Sequence, residues 1–389
     1  MSNYCIICEF NPLHNGHVYL INKARELGAD RVVCIMSGNT TQRGELAIVD
    51  KYSRAEAVVK CGADLVLELP YPWCSASAEY FALAGVSIAS RFGDKLLFGS
   101  ECGDIDMLKK AADVCETEDF KNEYSKRLED GEGAAFAYLD CIEKRTGKKF
   151  LSNDLLGISY IRAIKKLNAY MCAVTVSRLG ADYNEESICD EGFQSATALR
   201  GIISNKNYEC LEKHIPKEML DIICREEKNG LLTDISEIES LILGYFRLNG
   251  DKDFNDIAEC GGGIANRICD VAKSEATLEK MLEALKTKRY TDAKLRRALL
   301  YCLTDVKKEH LCALPEYTTL LASNDKGREL LALNRKSKTI DVVTKPADVP
   351  RESFQFSLSE KLDSVYLLSR KNKQSMDFFF KKRAFIETK

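Results

Sequence analysis

The chain has only four histidines in 389 residues, and no apolar run approaches the roughly 20 residues of a membrane-spanning helix. A helical membrane protein is therefore not expected. No basic n-region and apolar core precede the first strand-like run at residue 4, so a secretory signal is not expected either and the reading is cytoplasmic. Two phosphate-binding signatures are missing. Neither Gly-x-Gly-x-x-Gly nor Gly-x-x-x-x-Gly-Lys-Ser/Thr occurs, which removes the main support for dinucleotide and P-loop readings. Gly261-Gly262-Gly263 lies in a helical stretch and follows no strand, so it reads as a turn. His-Glu-x-x-His is absent and no carboxylate cluster marks a protein metal site, so none is expected. The net charge of -3 advertises no nucleic-acid partner and leaves that role to local basic segments.

Sixteen cysteines are present, many inside apolar runs (Cys5, Cys8, Cys34, Cys172). In a long chain without a secretory signal they read as reduced small hydrophobes. Cys5-x-x-Cys8 falls on a strand, where residues three apart point to opposite faces, so it is not expected to bind a metal.

With 45% hydrophobic and 30% charged residues, the chain has the composition of a globular protein of two or three domains. Short apolar runs at 4–8, 31–36, 65–69, 95–98 and 171–176 alternate with helical patterns at 16–27, 52–61, 76–91 and 105–115. Strand-helix-strand units of this length predict an α/β fold, a doubly wound parallel sheet, over residues 1–205. The charged stretch 117–150 reads as a helical insertion. Residues 206–389 read as a mainly α-helical domain, with one short β-like stretch at 339–343.

In such sheets ligands bind at the carboxyl ends of the strands. The first run is followed there by Asn11-Pro12-Leu13-His14-Asn15-Gly16-His17. Pro12 ends the extended segment and Gly16 lets a ligand approach the backbone. Both imidazoles then stand at a helix N-terminus, where free N–H groups and the dipole favour an anion. A histidine pair there can donate to phosphate oxygens as charge develops. Later, Ser195-x-Thr197-x-x-Arg200 opens another helix and places Arg200 one turn inside.

The two motifs together resemble those of the HIGH-type nucleotidyltransferase superfamily, which implies a HUP-like first domain, a grip on ATP phosphates and loss of pyrophosphate. A denser set carries the resemblance further: Ser37-Gly38-Asn39, Gln42-Arg43-Gly44-Glu45, Glu68-Leu69-Pro70, Phe98-Gly99-Ser100-Glu101, Asn153-Asp154-x-Leu156-Gly157 and Thr287-Lys288-Arg289-Tyr290-Thr291. With these, the chain resembles the bacterial tRNA(Met) cytidine acetate ligases from residue 4 to about 350. The resemblance implies that ATP and acetate form acetyl-adenylate, and that acetyl then passes to N4 of the wobble cytidine of elongator tRNA(Met). It implies ATP contacts at Ile7, Cys8, Glu9, Phe10, Asn11, Pro12, Leu13, His14, Asn15, Gly16, His17, Val18, Tyr19, Leu20, Gly103, Asn153 and Arg178; His14 and His17 are expected to be catalytic, and the superfamily's later motif adds Arg200. ATP would arrive with Mg2+. Two segments depart from the family pattern: Thr40 stands where a larger apolar or aromatic residue is expected, and the glycine-rich 259–264 replaces a Gly-Leu-Glu-like sequence.

The segment 286–297 carries six basic residues against one acid, and Lys294 and Arg297 share one helix face. With Lys288 and Arg289, they are the expected tRNA contacts. The tail 370–389 interleaves seven basic residues with Phe378-Phe379-Phe380 and Phe385, which fits either base stacking or a docked anchor. A small-molecule adenylyl- or cytidylyltransferase is the alternative enzyme, and an RNA-binding protein with a vestigial site the non-enzymatic one. The helical half with its basic runs favours a macromolecular substrate. Oligomeric state stays open.

Overall fold

The computed structural model describes residues 2–178, 194–287, 290–337 and 340–388. The alternating first half forms β1 (Asn3–Cys8), α1 (Asn15–Glu26), β2 (Arg31–Ser37), α2 (Lys51–Lys60), β3 (Leu65–Leu69), α3 (Ala78–Ala89), β4 (Lys95–Ser100), α4 (Ile105–Val114), α5 (Glu118–Glu129), α6 (Ala134–Thr146), α7 (Ser152–Lys166) and β5 (Cys172–Ser177). These strands pair in parallel in the order β5-β4-β1-β2-β3. Strand addition changes direction between β1 and β4, the kind of switch point at which open α/β sheets take ligands.

Strand alternation feeds two cores. Cys5, Ile7, Val33, Ile35, Leu65 and Leu67 pack on the α3 side. Tyr4, Ile6, Cys8, Val32, Cys34 and Val66 pack on the α1 and α2 side. Cys5 and Cys8 thus lie on opposite faces, as their spacing requires. Helix α3 is apolar nearly all round, because it is buried between the sheet and α7.

Beyond residue 205 the chain is largely helical but returns to the sheet. Strand β6 (Tyr317–Ser323) lies antiparallel to β3, and β7 (Asp341–Val343) and β8 (Phe385–Ile386) pair with β6. Only β7 was expected. Six of the seven β6 residues are buried, so no polar alternation betrays it as a strand. Asp64, buried at the start of β3, joins the halves: it accepts from Arg25 Nη2 at 2.5 Å, Val32 N at 2.8 Å and Asn324 Nδ2 at 2.9 Å.

The tail is docked. Arg370 is fully buried, 3.2 Å from Asp50, with its guanidinium 4.8 Å from the ring centres of both Tyr366 and Phe378. Burial alone pushes the Asp50 carboxyl up, but Lys382 and Arg370 hold it below its usual range. Asp50 also caps α2, accepting from Tyr52 N and Ser53 N at 3.0 Å each. Phe378 and Phe379 therefore serve as anchor residues. Among the described residues, no helix is long and apolar enough to cross a membrane.

Candidate active site

The His loop sits at the β1/β4 switch point. Phe10 has φ +49°, a conformation L side chains rarely adopt, and the Asn11–Pro12 bond is cis. Phe10, Asn11 and Leu13 are buried, so they shape the loop from beneath. Asn11 Oδ1 accepts from Ile48 N at 2.8 Å. His14 is the N-cap of α1 and His17 its third residue, and the two form a reciprocal capping box. His14 Nδ1 accepts from Gly16 N at 3.1 Å, and His17 Nδ1 accepts from His14 N at 3.3 Å. The rings stack with centroids 3.5 Å apart.

This capping assigns the tautomers. An Nδ1 that accepts a backbone N–H carries no proton, so in each neutral ring the proton is on Nε2. Burial, with Arg178 nearby, pushes His14 down to about 3. Burial also lowers His17, helped by His14 and Arg178. Both rings are therefore neutral Nε2–H donors near neutral pH. The amides expected to be free at this helix start are taken: Asn15 N donates to His214 O, Gly16 N to His14 Nδ1, and His17 N and Val18 N to His14 O. Donor capacity has moved from the backbone to the imidazoles, because the N-cap is itself a histidine.

The ends of β4 and β5 complete one side. Arg178 follows β5, and its N donates to Ser100 O at 3.0 Å. Gly103 has φ +60°, and a Cβ there would stand 2.0 Å from Ser177 Oγ, so only glycine fits. Asn153 is an early residue of α7, and its Nδ2 donates to Glu101 at 2.5 Å. Glu101 also accepts from Asp154 N at 2.9 Å, which ties the helix start to the end of β4. His14, His17, Arg178 and Gly103 thus gather at one edge, with Asn153 joined to it through Glu101.

Arg200 closes the other side. It lies in α8 (Ala196–Ser204), capped by Ser195 as expected. Its Nη1 donates to Asn11 O at 3.0 Å and its Nη2 to Glu45 at 2.7 Å. Glu45 also takes Arg296 at 2.7 Å. Gly44 lies against the backbone of Arg296 and Arg297, where a Cβ would come within 2.7 Å. Glu9 accepts from Gln42 N at 2.5 Å, and burial raises its carboxyl.

Sequence reasoning did not pair Glu45 with Arg200 or Arg296, and it gave Arg54 no role. Fully buried, Arg54 donates to the carbonyls of Glu9, Ser37, Gly38 and Val49 and so binds the ends of β1 and β2 together. Its signal was an arginine on the apolar face of α2, in line with Val58.

The expected tRNA contacts divide. Lys288 and Arg289 lie outside the described residues. Lys294 sits 5.4 Å over the Tyr290 ring. Arg297 turns inward, 2.7 Å from Glu259 and with 12% of its side chain exposed. The family departures fall here as well: Thr40 is buried, with Oγ1 donating to Glu45 O at 2.9 Å, and Glu259, at φ +63°, is the Arg297 partner.

A family model described as HIGH Nucleotidyl Transferase matches residues 1–378. The tRNA(Met) cytidine acetate ligase of Acetivibrio thermocellus is 34% identical, over 88% of this chain and 88% of its own. That of Clostridium perfringens strain SM101 is 33% identical, over 94% and 98%. The chain belongs to the tRNA(Met) cytidine acetate ligase family. Among solved structures, Thermotoga maritima TmcAL bound with alpha-thio ATP superposes with a TM-score of 0.88 at 27% identity, and its apo form with 0.90 at 28%, each covering 100% of both chains. The ligase fold accounts for the parallel sheet, the His loop at its switch point and the helical second half.

Proposed function

We propose that this protein activates acetate with ATP and transfers the acetyl group to N4 of the wobble cytidine of elongator tRNA(Met). The stacked, neutral His14–His17 pair beside Arg178 at the end of β1 carries the reading. An acetate oxygen attacks the α phosphorus, the bond from that phosphorus to the bridging oxygen breaks, and pyrophosphate leaves. Negative charge grows on the phosphate oxygens as this happens. Two Nε2–H donors held by backbone hydrogen bonds stabilise it without reorganising. Arg178 and Arg200 flank the loop and neutralise the triphosphate. Mg2+ arrives on ATP as part of the substrate.

In the second step the cytidine amine attacks the acetyl carbonyl, AMP leaves, and the nitrogen gives up a proton. Adenylation is needed because acetate alone is a poor acyl donor. Most of the rate comes from positioning and charge stabilisation. Lys294, Lys288 and Arg289 take the tRNA backbone.

The test is pyrophosphate release from ATP, measured with and without acetate and in the absence of tRNA. Acetate-dependent release supports the reading. Release that ignores acetate but follows another small acceptor would overturn it.

A further inference from the structure

A second cavity opens on the same carboxyl edge of the sheet, where β3 meets β6, beneath the helices Phe354–Leu368 and Asp377–Lys381. It holds about 80 Å³, room for one planar heterocycle rather than the roughly 300 Å³ or more of a drug-sized ligand. Lys51 and Glu68 form an ion pair of 2.7 Å in its wall, with side chains 9% and 7% exposed. Asp363 stands beside them, accepting from Asn39 Nδ2 at 2.8 Å. Aromatic side chains complete the lining: Tyr317, Phe356, Phe379 and Phe380. None of these residues has a part in the ATP chemistry above.

The charges narrow the occupant. Two carboxylates repel an anion such as phosphate. Glu68 is already neutralised by Lys51, and Asp363 is raised to about 6, so little charge is left to hold a permanent cation. A purely apolar guest would strip the remaining water from the ion pair and from Asp363 and offer no hydrogen bond in return. What remains is a flat, neutral ligand with a donor and an acceptor side by side on one edge and faces that stack on aromatic rings. Cytosine and adenine present such an edge, an exocyclic amine next to a ring-nitrogen acceptor, and uracil does not. Burial pushes Asp363 up to about 6, against the pull of Lys51, so this carboxyl can adapt to the edge it meets.

Cys8, Met36 and Glu68 are in register across β1, β2 and β3. Glu68 is therefore two strand spacings, about 10 Å, from the strand that ends in the His loop. A base held here is not the one being acetylated. We propose that this cavity takes a second, unstacked amine-bearing nucleobase of the tRNA anticodon loop, its amine donating to Glu68 or Asp363 and its ring acceptor taking a hydrogen bond from Lys51. The proposal rests on the tRNA reading above and deepens it: the reacting base would be positioned by capture of a neighbour.

The experiment is a double-mutant cycle on tRNA binding. Ser359 lines the cavity without being one of its charged groups, and Ser359→Phe fills it. Dissociation constants are measured for tRNA(Met) carrying single abasic positions through the anticodon loop. One abasic position is expected to weaken binding to the wild type about tenfold. Ser359→Phe weakens binding of intact tRNA by a similar factor, and the combination adds little. Lys51→Met serves as the second variant, with the same non-additive result expected. Factors that multiply at every position would overturn the proposal. So would tight binding of free cytidine or adenosine at this cavity with no coupled abasic position, since the ligand would then be a free nucleoside. Acetate-dependent pyrophosphate release without tRNA is read in parallel. Its loss in the wild type would overturn acid activation, whereas its persistence with no coupling would overturn this pocket alone.

Discussion

The His loop and the basic segment around Lys294 are built on opposite principles. In the loop nearly every group is committed. The backbone donors of residues 15–18 are taken, both Nδ1 atoms accept, and Arg54 holds the carbonyls beneath. What is left to act is the oriented Nε2–H groups and, among the described residues, Asn11 Nδ2, which is buried without a hydrogen-bond partner. In the basic segment, Lys294 rests on Tyr290 and Arg297 is drawn inward to Glu259. Chemistry at phosphorus gains from donors that do not reorganise. Attraction of a polyanion needs charge but little geometry. The contrast teaches where substitutions should be severe and where they should be graded.

The largest break expected in that contrast is Arg54→Ala. Four carbonyls beneath the loop lose their donor, and unfolding in urea should show a loss on the order of 3–5 kcal/mol. A loss below about 1 kcal/mol would mean that the loop is not held from below. His17→Ala comes next: acetate-dependent pyrophosphate release should fall about 100–1,000-fold while the fold survives. Wild-type release would remove His17 from the chemistry.

A third effect is thermodynamic. The folded imidazoles titrate far below their ordinary 6.5, His14 at about 3. Below pH 6.5 the unfolded chain binds protons that the folded site refuses, so stability is complete above 6.5 and falls as pH drops. The slope is about 1.4 kcal/mol per pH unit for each histidine. Urea unfolding across this range should give His17→Gln a slope shallower by that amount, and equal slopes would contradict the buried neutral pair. The smallest effect belongs to the other region. Lys294→Ala should weaken tRNA binding about two- to fivefold and reduce its log–log salt slope by about one, with pyrophosphate release unchanged. An unchanged salt slope would take Lys294 off the RNA surface.

The same contrast explains what could be read from the chain. The five parallel strands were legible because their apolar runs are separated by regular helices. The His loop was legible because a turn that shapes itself with its own side chains writes them close together. The Ser195 cap of the Arg200 helix was readable, and from one turn inside that helix Arg200 reaches Asn11 O. Glu45, Arg296 and Arg54 were not legible as partners, since their meaning depends on contacts across 155 to 251 residues or on burial that composition does not reveal. Strand β6 escaped because burial on both faces erases alternation. Arg297, read as a surface cation from its helix face, is claimed by Glu259, a residue whose positive φ lies in the unexpected glycine-rich segment.

The most direct measurement incubates the protein with ATP, labelled acetate and tRNA, then digests the RNA and separates the nucleosides. The expected result is ATP-dependent label in N4-acetylcytidine. A folded, ATP-binding protein that leaves that nucleoside unlabelled would contradict it.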